Sequence, residues 1–230
     1  VESNLIATRP GEWSRITLGK LEVEGTVYPA LDMAFDYANR KLYVLTDNLA
    51  NEDGDIEKNA LLLEVDYLTG EVNRSVEITG LAKAPNWWKI NQALTLACDN
   101  SGTLYTVDLY NGYFYTLDAA TGAATQVGDT GYIPMYNQSM TVDHETDTLY
   151  WAYYAGSTKQ IAQLFAVDKA TGACQSVGMT KNNAELCALF KPYDTQETAG
   201  LIPDGSTSVT GILLSASQLA LTAGNSQKLK

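Results

Sequence analysis

Four groups of residues in this chain have types and spacings that could do chemistry. The most acidic stretch runs from Asp47 to Glu57, and the oxygens of Asp47, Asn51, Asp53 and Asp55, grouped around Gly54, are hard ligands of the kind calcium takes. Their spacing departs from an EF-hand. With Asp53 as the fifth loop position the twelfth is Ala60, where a bidentate Glu is required. The plain alternative is a solvated polar loop. The second group is Trp87, Trp88 and Lys89, in a proline-containing segment. Adjacent indoles in a loop can stack on sugar rings or anchor a peptide, and packing between sheets is their plain alternative. The third is the acid pair Asp36 and Asp143, the two carboxylates on offer to a carbohydrate-active enzyme. They occupy matching places in an internal repeat, which favours structure over catalysis. The fourth is His144, the sole histidine, in Asp143-His-Glu-Thr-Asp147. Any Ser-His-Asp arrangement would have to use it, but its surroundings read as a solvated turn.

Cys98, Cys174 and Cys187 are odd in number and widely spaced, with no C-x-x-C pair, so a zinc site is not indicated. Cys98 and Cys187 fall on apolar strand segments and read as small buried side chains; one disulfide stays open, without a pairing. Nothing resembles a nucleophile elbow, a phosphate-binding glycine loop or H-E-x-x-H.

The elements that position these residues come from a repeat. Asn91-Gln-Ala-Leu-Thr-Leu-Ala97 returns 46 residues later as Asn137-Gln-Ser-Met-Thr-Val-Asp143, with looser copies at 30–36 and 184–190. Each of the first three is followed by a turn and a Leu-Tyr strand, at Leu42-Tyr43, Leu104-Tyr105 and Leu149-Tyr150. A third strand ends in D-x-x-T-G at Asp66–Gly70, Asp118–Gly122 and Asp168–Gly172, and a fourth follows at 71–78, 124–127 and 174–177. Asp accepts bonds from turn amides and Gly supplies the positive φ of a tight reversal, so the motif closes a hairpin. The unit is four antiparallel strands that must bury both faces against its neighbours, an all-β, β-propeller-like array. Residues 4–7 and 13–18 read as two further strands around Pro10-Gly11. They could form the outer half of a composite blade whose inner strand is the segment 184–190, giving three full units and one composite one.

The blades at residues 30–190 resemble propeller repeats of the quinoprotein-like and YVTN-like families, which carry similar L-x-x-L-D-x-x-T-G strands. The resemblance implies the fold. It does not carry quinone chemistry, because the Trp-bearing motif that follows T-G in those enzymes is absent after Glu71, Ala123 and Ala173.

Past Pro192 the composition turns to Gly, Ser, Thr, Asp and Pro, a linker over 193–207. Residues 208–230 then resemble the opening of a bacterial immunoglobulin-like domain of group 2, through Val209, Gly211, Ile212, Leu214, Ser215, Leu219, Leu221, Gly224 and Leu229. About a quarter of such a domain is matched. The resemblance implies a spacer of a bacterial cell-surface or secreted protein.

Bulk composition sets the outer bounds. The 230 residues are 45% hydrophobic and 18% charged with a formal charge of −12, which suits a globular chain with a core of its own. An acidic chain without Lys/Arg clusters does not suit nucleic acid or anionic membranes as partners. No apolar run reaches the length of a transmembrane helix, and the first residues lack the layout of a signal peptide, so an exported form is expected to have had its signal removed already. The reading is a non-catalytic, secreted or cell-surface propeller module that binds a protein or glycan. The alternatives are an extracellular hydrolase or lyase acting on carbohydrate, and a surface scaffold whose blade edges pair between chains. Calcium is the one cofactor to be considered.

Overall fold

Residues 42–45, Leu-Tyr-Val-Leu, are apolar at every position, which a strand can use only if both of its faces are buried. The computed structural model describes residues 3–8, 15–52, 55–84, 91–135, 137–156, 161–191 and 193, and it shows why that run is continuous. The chain opens on a hairpin of β1 (Asn4–Thr8) and β2 (Arg15–Lys20), then a short one of β3 (Glu22–Val23) and β4 (Thr26–Val27). The first sheet contains β5 (Ala30–Asp36) and β6 (Lys41–Thr46). After a hairpin insertion of β7 (Leu49–Ala50) and β8 (Ile56–Lys58), it is completed by β9 (Leu61–Val65) and β10 (Val72–Glu77). The second sheet contains β11 (Ala97–Cys98), β12 (Leu104–Val107), β13 (Tyr113–Leu117) and β14 (Ala124–Asp129). The third contains β15 (Ser139–Asp143), β16 (Thr148–Ala155), β17 (Ile161–Val167) and β18 (Cys174–Met179). Each four-stranded sheet is antiparallel throughout, with its strands side by side in chain order.

Alternate residues of one strand serve two different cores. On β6, Tyr43 and Leu45 pack with Leu96, Cys98, Leu104 and Leu117 of the second sheet's side, while Leu42 and Val44 pack with Leu5 and Leu21 from the N-terminal hairpins. On β12, Leu104 faces the first sheet, whereas Tyr105 and Val107 join Met140, Leu149, Trp151 and Phe165 of the third. Burial of these side chains is the main drive for stacking the sheets, at about 1.5–3 kcal/mol for each large apolar one.

The D-x-x-T-G turns form as their residues dictate. Oδ1 of Asp66 accepts from the amides of Leu68 and Thr69 at 2.8 and 3.0 Å, Asp118 does the same for Ala120 and Thr121 at 2.7 and 2.9 Å, and Asp168 takes Ala170 at 2.8 Å. Gly70, Gly122 and Gly172 sit at φ 76°, 73° and 77°. The glycines have a second purpose. A Cβ on Gly70 would lie 2.7 Å from Gly19 Cα, one on Gly122 2.9 Å from the Glu77 carbonyl carbon, and one on Gly172 2.9 Å from Phe114 Cβ. The first two turns therefore rest directly on the last strand of the preceding unit, and the third rests on β13 through Gly172 and on the last strand β14 through Thr171, which abuts Gly128.

That rule identifies the N-terminal hairpin. In β1 and β2, Leu5 pairs with Gly19 and the register breaks before Ile6, which pairs with Thr17. The same break follows Phe114–Gly128 and Leu164–Gly178 in the outer halves of the second and third sheets. The hairpin is thus equivalent to the two outer strands of a unit preceding the first sheet, as residues 4–7 and 13–18 suggest. Its expected inner partner is not formed as a strand: past the 3-10 turn Lys181–Asn183, the described residues 184–191 carry no strand, and Cys187 is exposed rather than buried. Among the described residues nothing lies within 4 Å of a Cβ built on Gly178, and Val177 and Met179 beside it are 57% and 59% exposed, so the described residues leave the outer face of the third sheet open.

Candidate functional site

The strand order gives the stack two ends. At one end lie the first turns of the three sheets, at 37–40, 99–103 and 144–147, together with the D-x-x-T-G turns. Both acids of the enzyme reading sit here and are engaged in structure. Asp36 accepts from the backbone and side chain of Asn39 at 3.0 and 2.8 Å; Asp143 accepts from the Glu145 amide at 3.1 Å and lies 3.5 Å from Lys191 Nζ. Asp99, their counterpart in the second sheet, binds Ser101, Thr103, Tyr105 and Lys169, and Lys169 also pairs with Asp147. Burial raises the Asp99 carboxyl, but these donors outweigh it and hold the group below the usual carboxylate range.

His144 does not behave as a solvated turn residue. It is buried, its Nδ1 lies 2.6 Å from Asn100 Oδ1, and its ring packs against Tyr37 and Tyr193 at centroid distances of 4.5 and 5.2 Å. Burial lowers its pKa, and the nearby carboxylates of Asp147, Asp143 and Asp99 pull less strongly the other way. The turn sequence could not show this, because both rings arrive from distant segments.

The opposite end holds the first insertion that sequence singled out and residues 81–84, where the second begins. The acidic one is the hairpin β7–β8, in which Asn51 Oδ1 accepts the Asp55 amide at 2.9 Å and Asp47 Oδ1 accepts the Asn48 amide at 2.8 Å. Burial raises the Asp47 carboxyl. Asp53 lies outside the described residues, and among the described ones no three potential metal ligands gather. Trp87, Trp88 and Lys89 also lie outside the described residues. The chain on either side is fixed: the Ala84 amide donates to Asn91 Oδ1 at 2.9 Å, and Asn111 Nδ2 donates to the Lys83 carbonyl at 3.4 Å.

Between the β7–β8 hairpin and residues 77–81 is a cleft of about 270 Å³ that the sequence did not announce. Its polar lining includes Asn48, Asn59, Glu77 and Asn91, and its apolar wall Ile56 and Leu81. Asn48 is structural: its Oδ1 accepts the Ala60 amide at 2.8 Å and its Nδ2 donates to Gln92 Oε1 and the Asn91 carbonyl. Asn59 Nδ2 donates to Glu77 Oε1 at 2.6 Å, which orients an exposed amide and carboxylate side by side. Exposed Tyr132 and Ile133, on the link between the second and third sheets, belong to the same end of the stack.

All three cysteines are free, and Cys98 is buried as its strand segment suggests. Its thiol is raised well above the ordinary range, by burial first and then by Asp36 and Asp99, so it is a poor nucleophile. Cys174 is pushed up to about 12 by burial. Apart from Tyr193, the stretch proposed as linker and the immunoglobulin-like opening, 208–230, lie outside the described residues. No described helix is long and apolar enough to cross a membrane.

No family model and no curated protein matches the chain. Among solved structures it is similar to a chain of a nidogen/laminin complex, at 13% identity and a TM-score of 0.47, over 78% of this chain and 62% of that one. It is also similar to a luciferin-regenerating enzyme, at 15% identity and a TM-score of 0.46, over 79% and 62%. The aligned part is less than two thirds of either chain's length.

Proposed function

We propose that the chain is a propeller-type module, with repeats of the quinoprotein-like and YVTN-like kind, and that it binds a glycan at the end of the stack bearing the insertions. The observation that carries this reading is the cleft between the β7–β8 hairpin and residues 77–81, with Asn91 at its edge. Its exposed Asn59–Glu77 pair offers a donor and an acceptor to adjacent hydroxyls, and Ile56 and Leu81 give an apolar wall. Trp87 and Trp88 fall in sequence between Ala84 and Asn91, where indoles would add the stacking surface a sugar ring prefers. A volume near the lower bound of small-molecule sites, about 300 Å³, suits one or two sugar rings. The engagement of Asp36 and Asp143 in turns favours binding without turnover. The acidic surface and the immunoglobulin-like opening support an extracellular or cell-surface setting.

A glycan array followed by calorimetry, with hydrolysis measured on the same sugars, tests the proposal. The expected result is binding without turnover, weakened at least fivefold by Asn59→Ala or Glu77→Ala and lost in the Trp87→Ala/Trp88→Ala double variant. Turnover would overturn the non-catalytic reading. Binding that ignores all four substitutions would overturn this placement, and capture of proteins but no sugar would overturn the ligand class.

A further inference from the structure

The cleft between the β7–β8 hairpin and residues 77–81 has one charged side chain in its lining, that of Glu77. The strands around it fix its place. Glu77 pairs with Leu61 at the end of β10, and the Ile78 amide that follows donates to the Ala60 carbonyl at 2.9 Å. The Thr79 amide donates to the Gly122 carbonyl at 3.1 Å, and the Thr79 carbonyl accepts from the Ala124 amide at 2.8 Å. The second sheet thus pins the floor of the cleft to the first.

The polar groups it leaves open are mostly acceptors. Asn59 Nδ2 donates to Glu77 Oε1 at 2.6 Å, and no described residue donates to Glu77 Oε2 or to Asn59 Oδ1. Asn91 is already engaged, its Oδ1 by the Ala84 amide and its carbonyl by Asn48 Nδ2. One N–H of Asn59 is the single donor the pair has left. No described cation balances the carboxylate. The lining contains no Lys, Arg or His, and none of the ion pairs among the described residues involves Glu77. Lys58, one residue before Asn59, donates instead to Thr26 Oγ1 at 2.6 Å. The Tyr28 hydroxyl, pushed up first by burial, is raised further by the charges of Glu24 and Glu77, so a second carboxylate lies on this side of the molecule.

We propose that the cleft selects sugars with a free primary amine over their N-acetylated and acidic counterparts, an inference that rests on the glycan reading above. An ammonium has three donors and no acceptor, so one such group can serve both Glu77 and Asn59 Oδ1 while the sugar ring lies along Ile56 and Leu81. Its bond to the carboxylate is charge-assisted, about twice as strong as one from a hydroxyl. An N-acetyl group keeps one N–H and no charge. A uronic acid would set a second carboxylate beside one that has no described cation to screen it, which weakens binding.

The test is calorimetry on the whole chain at about pH 6, where a primary amine is charged, with the disaccharide of glucosamine, its N-acetylated form and digalacturonic acid as probes. The amine should bind at least about fivefold more tightly than the acetamide, digalacturonic acid should not bind, and the preference should shrink as salt rises. Glu77→Gln keeps the shape of the side chain and removes its charge, and should bring amine and acetamide within about twofold of each other. Glu71→Gln, an exposed acid at the turn end of the stack, should leave the preference intact. A preference lost equally in both variants would reveal a general attraction to the acidic surface and overturn the inference. So would an acetamide that binds as well as the amine, or a preference that survives Glu77→Gln; in either case, sugar binding that still needs Asn59 leaves the glycan reading standing. No binding of any sugar, with or without a lysine-containing peptide bound instead, would overturn the glycan reading itself.

Discussion

Gly128 and Gly178 occupy the same place in successive sheets, each opposite the residue just before the register break, yet they meet different surroundings. A Cβ on Gly128 would overlap the Thr171 carbonyl oxygen and come 2.8 Å from its carbon; one on Gly178 would meet none of the described residues within 4 Å. The obstacle at Gly128 is backbone, in a turn fixed by Asp168, so no rotamer change relieves it. Gly128→Ala must move the third sheet off the second, and loosening the core that holds Trp151 and Phe165 should cost about 3 kcal/mol, the upper part of the range for overpacking. Gly178→Ala should be neutral or gain up to about 1 kcal/mol from a stiffer unfolded chain. At about 2–4 °C per kcal/mol for a domain of this size, Gly128→Ala should lower Tm by about 6–12 °C while Gly178→Ala leaves it within about 3 °C. Thermal unfolding followed by circular dichroism reads both. Equal losses at the two sites would refute the reasoning, since they would show that something covers Gly178 or that close approach is not what the glycine serves.

Two further predictions concern buried polar groups. Gln138 accepts from Trp151 Nε1 at 3.0 Å and donates to the Met135 and Tyr154 carbonyls at 2.9 and 2.7 Å, so Gln138→Ala takes this partner from the buried Trp151 N–H and the half-buried Met135 carbonyl, while the Tyr154 carbonyl keeps the Met135 amide at 3.0 Å. A loss of about 3 kcal/mol in urea denaturation is expected; a loss below about 1 kcal/mol would mean that water replaces the side chain. His144 should titrate below pH 6.5 by NMR, because burial disfavours its charged form. Its contribution to stability is therefore present above pH 6.5 and lost as pH falls through the folded value. Tyr37→Ala, which removes one of the packed rings, should move the titration back up, and a wild-type value above 6.5 would refute the assignment.

The sequence by itself determined the local chemistry of the fold. The three D-x-x-T-G segments carry in their own residues the acceptor, the hydroxyl and the positive-φ glycine that close a hairpin, so they were legible without any partner. Continuous apolar runs such as 42–45 required sheets buried on both faces, and stacking confirmed it. The outer hairpin at the N-terminus was readable for the same reason. The segment 184–190 misled because it shares the apolar pattern of a first strand, while strand formation needs a neighbour that the described structure does not give it. The sequence also aligned Ala97 with Asp143, whereas strand pairing puts Ala97 opposite Tyr105 and Thr141 opposite Tyr150, which makes Ala97 equivalent to Thr141, two residues earlier. What only the tertiary structure decided are the meetings across long stretches of chain. Asp32 binds residues 64 and 107 positions away, and His144 lies between rings from opposite parts of the chain. The cleft joins a hairpin of the first sheet to the link that follows it. Repeats report bonds made within a unit. The burial and convergence that tune a carboxyl or shape a cleft exist only between units, once their faces are pressed together.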